Sequence, residues 1–267
     1  MPKQIPALPG AQEMRIARAL ALAGIDSRRK CEVHIKNGAV QVNGEVVRDL
    51  GRQVDLASDH ITFRGRTVSF ESYSYYLLHK PVGYTTTAND EQARANVYEL
   101  LPKQLVAGTR QPGKGKTRVF PVGRLDRDSS GLLLFTNDGD LANVLTHPRY
   151  GVGKWYDIKL NRAFDPRDGK RIIAGVHLSD GHARAEDVRI LSRRRLRVLM
   201  REGRKREVRR LLEAMGHQVV ELCRVSFGPL MLGNLRPSQG RFLSRPEKKQ
   251  LLLLKDQSLK SSAGVKI

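Results

Sequence analysis

The sequence predicts an α+β fold in two domains, a small N-terminal module followed by a larger one. Three observations carry this. The 267 residues are enough for about two domains at the usual ~100–200 residues each. Two short helical patterns followed by a hairpin pattern fill the first fifty residues. Near residue 72 the pattern changes, and alternating strand-like runs then recur between helical ones.

Residues 1–12 are proline-rich, with Pro2, Pro6 and Pro9, and lack periodicity, so a disordered leader is expected. From Met14, the residues Ile16, Ala17, Leu20 and Ala23 share one helical stripe until Gly24 stops it. A second helix can start at Ser27, a natural N-cap, burying Cys31 and Ile35 while Arg28, Arg29 and Lys30 face outward. Val40-Gln41-Val42, Asn43-Gly44 and Glu45-Val46-Val47 read as a β-hairpin, since Asn-Gly is the strongest two-residue turn signal. Ile61, Phe63 and Val68 complete the module's sheet before a linker over residues 71–74.

The second domain opens on the strand Tyr75 to Leu78 and the turn Lys80-Pro81-x-Gly83. At its centre stands Gly123-Arg124-Leu125-Asp126-Arg127-Asp128-Ser129-Ser130-Gly131, running into the apolar Leu132 to Phe135 and then Thr136-Asn137-Asp138-Gly139. Charges and hydroxyls that are costly to bury meet a run suited to a buried strand, which places a carboxylate at the mouth of a core. Asp140 is read as the cap of a short helix through Leu141, Val144 and Leu145, and Asp138 sits where a helix N-terminus favours an anion. Asp128 reads as a loop residue. Trp155 to Leu160 alternates, with Tyr156, Ile158 and Leu160 on one face. Residues 161–195 read as strands and turns. Leu196, Val198 and Met200 mark another half-buried strand, and Glu202-Gly203-Arg204-Lys205-Arg206-Glu207-Val208-Arg209-Arg210 enters a helix with Val208, Leu211, Leu212 and Met215 inward. Residues 246–267 read as a frayed helix and basic tail.

Charge narrows the function. A net charge of +21, spread through the chain, points to a polyanionic partner, with nucleic acid favoured over a membrane surface. No run of ~18 apolar residues and no signal-peptide h-region occurs, so a cytoplasmic chain is expected. Two cysteines build no disulfide framework, and seven scattered histidines show no metal-ligand spacing. Gly113-Lys114-Gly115-Lys116-Thr117 fails the phosphate-loop spacing because Arg110 stands where that pattern needs a glycine. A phosphotransferase is thereby disfavoured.

Four motifs in order carry a resemblance: Lys80-Pro81-x-Gly83, the Arg124-Leu125-Asp126 stretch, Lys154-Trp155-Tyr156, and Glu202-Gly203-Arg204 through Val208-Arg209-Arg210, followed by Gly216-His217 and Arg224-Val225-x-x-Gly228. Together they resemble the pseudouridine synthases, in the branch that modifies bacterial ribosomal RNA at single sites. The N-terminal helices and hairpin resemble the S4 RNA-binding domain. The resemblance implies a small S4-type αL module over residues 13–72. It also implies a synthase domain over 73–245 with a mixed, mainly antiparallel sheet flanked by helices.

For function, the resemblance implies isomerisation of uridine to pseudouridine, with Asp126 as nucleophile, Tyr156 packing on the target base, and Arg209 pairing with the aspartate to hold it ionised. Leu125 is the apolar candidate beside the base. Arg15, Arg28, Arg29 and Lys30 of the module are candidate phosphate contacts, as are Lys80, Arg124, Lys154, Arg204 and Arg206 in or beside the motifs. The reaction is an isomerisation without redox, so no cofactor or metal is expected. A base must leave its stack to be reached, which favours a single-stranded or loop target in ribosomal RNA. A monomer is expected. The large-subunit RNA is preferred on Gly131 to Gly139 with Leu141-Ala142 and His147-Pro148. The alternatives are the small-subunit RNA, or a non-catalytic ribosome-assembly protein that keeps the fold for RNA contact.

Overall fold

The structure, a computed structural model, describes residues 13–70, 72–87, 95–106 and 119–263. The expected leader 1–12, residue 71 of the linker and the Gly/Lys-rich stretch 111–118 lie outside them. The chain forms two compact units, Met1–Ser74 with Pro102–Val119, and Tyr75–Leu101 with Phe120–Ile267.

In the first unit, β1 (Glu13–Arg15) leads into α1 (Ile16–Leu22) and α2 (Arg28–Lys36), then β2 (Val40–Val42), β3 (Glu45–Val47), β4 (Gln53–Asp55), β5 (Ile61–Phe63) and β6 (Arg66–Thr67). Met14 therefore belongs to a short strand paired with β4 rather than to the helix. Ile16, Leu20, Cys31, Ile35, Val40 and Val42 form one core, as the periodicity requires. The β2–β3 turn has Asn43 at φ 52° and Gly44 at φ 87°, the left-handed pair that an Asn-Gly hairpin turn demands. Ser27 occupies the N-cap of α2, but its side chain makes no capping bond. The four strands run in the order β3-β2-β5-β6.

The second unit is built on a nine-stranded sheet. Its strands and helices are β7 (Tyr75–Lys80), β8 (Phe120–Pro121), β9 (Ser130–Thr136), α3 (Gly139–Thr146), β10 (Lys154–Leu160), α4 (Pro166–Ala174), β11 (Val176–Leu178), β12 (Gly181–Ala183), β13 (Asp187–Ser192), β14 (Arg195–Met200), α5 (Glu207–Glu213), β15 (Val219–Phe227), β16 (Leu230–Met231), β17 (Gly240–Phe242) and α6 (Arg245–Ala263). The sheet runs β13-β14-β10-β15-β9-β7-β17, with β16 on β15 and β8 on β9. Among the described residues of the sheet only β15 and β9 pair in parallel, so the sheet is mixed and mainly antiparallel. Leu132 to Phe135 on β9 are wholly buried because the strand lies inside the sheet with both faces covered.

Three readings of this unit are corrected. Residues 161–195 contain a helix, α4, whose N-cap Asp165 accepts from the Arg167 amide with Pro166 in the first turn. Asp-Pro ahead of a helix was its local signature. The cap of α3 is Asp138, which accepts from the Leu141 amide, while Asp140 lies inside the first turn. The basic tail is α6, a 19-residue helix. It is docked rather than frayed, because Leu251 is buried and the Lys255 ammonium lies 2.8 Å from the wholly buried Asp138 carboxylate.

A candidate active site at the mouth of the central strands

The site is the loop that joins β8 to β9, held open against three neighbouring strands. Gly123 turns at φ 71° and Ser129 bonds back to the Asp126 carbonyl at 3.1 Å, so the segment between them forms a tight bend ahead of β9. Lys80, at the end of β7, fixes that bend from below. Its ammonium donates to the carbonyls of Pro81 (3.0 Å), Asp126 (3.0 Å) and Ser129 (2.7 Å). Thr86 donates to the Leu125 carbonyl at 2.8 Å, and the Gly83 amide to that of Arg127 at 2.8 Å. The two motif loops are thus laced together through backbone carbonyls, with Gly83 in the left-handed region at φ 96°.

Behind the bend, β9 meets β15 at Gly131, paired in register with Arg224. A Cβ at Gly131 would collide with the Arg224 backbone, and its φ of 113° is closed to other residues. The glycine is what lets the parallel pair approach. On the other side of β15, Tyr156 of β10 stands in register with Arg224. Asp126, Leu125, Tyr156, Arg224, Glu207 and Lys154 all line one cavity of about 270 Å³. That volume lies just below the ~300–1,000 Å³ of small-molecule sites, a scale that suits one extruded nucleotide.

The cavity walls carry six cations, Arg124, Lys154, Arg204, Lys205, Arg206 and Arg224, against the carboxylates of Asp126, Glu202 and Glu207. The carboxylates differ in commitment. Glu207 is 4% exposed and accepts from the Arg204 Nε at 3.0 Å; burial pushes its carboxyl above the ordinary value despite that cation. Glu202 also lies 3.0 Å from the Arg204 side chain. The Asp126 carboxylate is half-buried and makes no hydrogen bond or ion pair among the described residues, with the charges of Lys80 and Arg206 nearby. It is the uncommitted acid of the site.

Arg209 does not sit where the sequence reading put it. Its side chain is 7% exposed and reaches Asp128, with Nε 3.3 Å from the carboxylate and Nη2 donating to the Asp128 carbonyl at 2.9 Å. Nη1 donates to the Val219 carbonyl at 3.0 Å. The guanidinium therefore ties the bend to the start of β15. Asp128 also takes a hydrogen bond from Arg206 Nη1 at 2.9 Å. Partial burial raises the Asp128 carboxyl, but the Arg206 bond and the charges of both arginines outweigh it and hold the pKa below the usual value. Asp128, read as a loop residue, is the anchor of this cluster. Its spacing two residues past Asp126 gave no hint, because the partners come from α5 and the loop entering it.

Several candidate RNA contacts are also corrected. Lys80 is wholly buried, and burial lowers its pKa to about 8 against the opposing charges of Asp128 and Asp126. Lys154 is 6% exposed and donates to the carbonyls of Val152, Arg201 and Glu202, and burial with the charge of Arg224 lowers it likewise to about 8. Neither ammonium is free for a phosphate; each pins a loop. Arg204 is taken up by Glu207, Glu202 and Asp180. Arg124 and Arg206 are exposed at the cavity, and Arg15, Arg28, Arg29 and Lys30 are exposed on the first unit. Lys205 and Arg224 belong to the cavity and were not foreseen.

A basic cavity sized for one nucleotide, with an uncommitted carboxylate and a tyrosine in its wall, defines an enzyme acting on nucleic acid. The chain belongs to the RNA pseudouridine synthase family: the model of the RNA pseudouridylate synthases matches residues 74–214, and that of the S4 domain residues 14–61. An uncharacterized RNA pseudouridine synthase of Aquifex aeolicus is 40% identical over 90% of this chain and 94% of its own. Ribosomal large subunit pseudouridine synthase B of Bacillus subtilis is 37% identical over 91% of this chain and 97% of its own. Among solved structures, a crystal structure of a pseudouridylate synthase matches with a TM-score of 0.62 and 26% identity, covering 89% of this chain and 99% of that one. Among the described residues no helix is long and apolar enough to cross a membrane.

Proposed function

We propose that this protein isomerises uridine to pseudouridine at a defined site in ribosomal RNA of the large subunit, acting as a cytoplasmic monomer on a single-stranded or loop target. The observation that carries this reading is the uncommitted Asp126 carboxylate in the cavity it shares with Tyr156. A nucleophile must keep its lone pairs available, and the other two cavity carboxylates spend theirs on Arg204. Tyr156, held in register between β14 and β15, offers its ring to the extruded base. Leu125, 6% exposed, supplies apolar contact beside it. Arg209 serves the reaction by fixing the Asp126 loop through Asp128. The likeness to the large subunit synthase of Bacillus subtilis favours the large-subunit RNA.

The division of labour follows the two modules. Residues 13–72 supply affinity and placement through Arg15, Arg28, Arg29 and Lys30, and residues 73–245 carry the chemistry, with Arg124 and Arg206 on the target strand. The test is to map pseudouridine in ribosomal RNA from cells with and without the protein, then to restore it with wild type or Asp126→Asn. The wild type is expected to restore one large-subunit site. Asp126→Asn, which keeps shape and loses charge, is expected to bind RNA as tightly and lose at least ~10³ in single-turnover rate. Wild-type rates in Asp126→Asn would make the acid dispensable, and an unchanged modification map would leave a non-catalytic assembly role.

A further inference from the structure

The cavity floor holds a charge that no acid answers. Arg224 is 2% exposed, and a guanidinium is costly to bury without a partner. Its Nε donates to the Leu132 carbonyl at 2.8 Å. Its Nη2 is buried with no hydrogen-bond partner among the described residues, and the side chain forms no ion pair among them. What packs against it is the Phe227 ring, 4.7 Å from Cζ, which the Lys154 ammonium also faces at 5.5 Å. The ring face offsets part of the charge and leaves the Nη2 donor without a partner among the described residues.

Its position says what could use that donor. Arg224 and Tyr156 are register partners on adjacent strands, so their side chains emerge on one face of the sheet. Both line the cavity with Asp126. A base lying against Tyr156 therefore lies along a wall to which Arg224 contributes.

We propose that Arg224 is a catalytic residue, which donates to a carbonyl oxygen of the target uracil and stabilises the negative charge the ring carries while detached from its sugar. The inference rests on the isomerase reading above. When C1′–N1 breaks, its electron pair leaves with the ring, and the resulting uracil anion spreads that charge from N1 onto O2 and O4. C1′ is left electron-poor and is met by the Asp126 carboxylate. After the ring turns, an electron pair at C5 forms the C1′–C5 bond and displaces the carboxylate; C5 loses its proton to a base and N1 gains one. Substrate and product are isomers, and no oxidant or reductant enters. A donor already desolvated and fixed by Leu132 needs no reorganisation when the charge appears, and a guanidinium stays charged throughout the working pH range. The unanswered charge of the free enzyme becomes half of a pair when the anion forms.

The experiment compares leaving groups. Fluorine at C5 withdraws electron density and stabilises the uracil anion, so it substitutes in part for the cation. A ribosomal RNA fragment carrying the mapped target is prepared with uridine or 5-fluorouridine there, and loss of the N1-linked nucleotide is followed in single turnover. Wild type, Arg224→Lys and Arg224→Met are compared, with melting temperature and RNA affinity measured on each. Arg224→Met is expected to lose ~10²–10³ in rate on uridine, the scale of a lost charge-stabilising donor. The gap to wild type should narrow by about tenfold on 5-fluorouridine, and Arg224→Lys should lie between. Should the methionine variant melt early, the lysine variant carries the same comparison, because it keeps charge but cannot reach both Leu132 and the base. Equal gaps on the two substrates in a folded variant would overturn the proposal and leave Arg224 as a strut for β9. Failure of the wild type on uridine would instead overturn the isomerase reading beneath it.

Discussion

Replacing Arg209 by methionine separates two accounts of what that arginine does. If its partner is Asp128, the loss is first one of stability. The side chain is nearly buried and makes one ion pair and two hydrogen bonds to carbonyls. Breaking a buried ion pair by removing one partner costs about 3–5 kcal/mol, but Asp128 is 45% exposed and keeps Arg206, so solvent and the second cation reduce that to about 1–2 kcal/mol. Two carbonyls left without a donor add about 1 kcal/mol each. A total near 3–4 kcal/mol corresponds to a fall in Tm of about 6–16 °C for a domain of this size. Single-turnover rate should fall as well, because the Asp126 bend is released from β15. The assay is a pair of double-mutant cycles, Arg209→Met with Asp128→Asn for stability and Arg209→Met with Asp126→Asn for rate. Coupling of about 1 kcal/mol is expected in the first. Additive stabilities in the first cycle, with full non-additivity of rate in the second, would refute the reasoning and return Arg209 to direct service of the catalytic carboxylate.

Three further outcomes are expected. Changing Arg28, Arg29 and Lys30 together to serine should reduce the slope of log affinity against log salt by up to ~2–3, at about 0.7–0.9 for each phosphate no longer neutralised. The rate on saturating RNA should be unaffected, and an unchanged slope would remove these residues from the RNA interface. Lys255→Met strands the wholly buried Asp138 carboxylate, which also accepts from Tyr75 and caps α3, and should cost about 3–5 kcal/mol by chemical denaturation. Adding Asp138→Asn should recover part of this, and a loss below ~1 kcal/mol would mean that α6 is docked without help from the Lys255–Asp138 pair. Lys80 and Lys154 both have folded pKa values of about 8, against about 10.4 unfolded. Between these values the unfolded chain holds protons the folded one has released, so their contribution to stability rises with pH. Each neutral amine has one donor fewer for the carbonyls it pins, so the single-turnover rate should decline from about pH 8 to 9 while Tm does not. A rate flat across that interval would show that the loops hold without the full set of donors.

Much of this protein was legible in its sequence because the signals are local. The Asn43-Gly44 turn, the stripe that buries Cys31 and Ile35, the alternation of Leu196, Val198 and Met200 and the apolar run after Gly131 each follow from backbone sterics or from burial at a fixed period. The four motifs, in order, also marked Asp126 and Tyr156, which the structure brings to one cavity. What sequence could not decide is which charge meets which. Among 48 lysines and arginines and 27 acids, composition says nothing about partners, because ion pairs and buried donors depend on strands brought together from far apart in the chain. Lys80 and Lys154 resemble phosphate ligands in one dimension and prove to be buried clamps on backbone carbonyls in three. Arg209, one turn into α5, meets Asp128 and the Val219 carbonyl rather than Asp126, while the entry to the helix lines the cavity that Asp126 shares. Arg224 was only a motif letter until the parallel pairing of β9 with β15 closed around it, leaving a buried cation beside Tyr156 with no acid paired to it among the described residues.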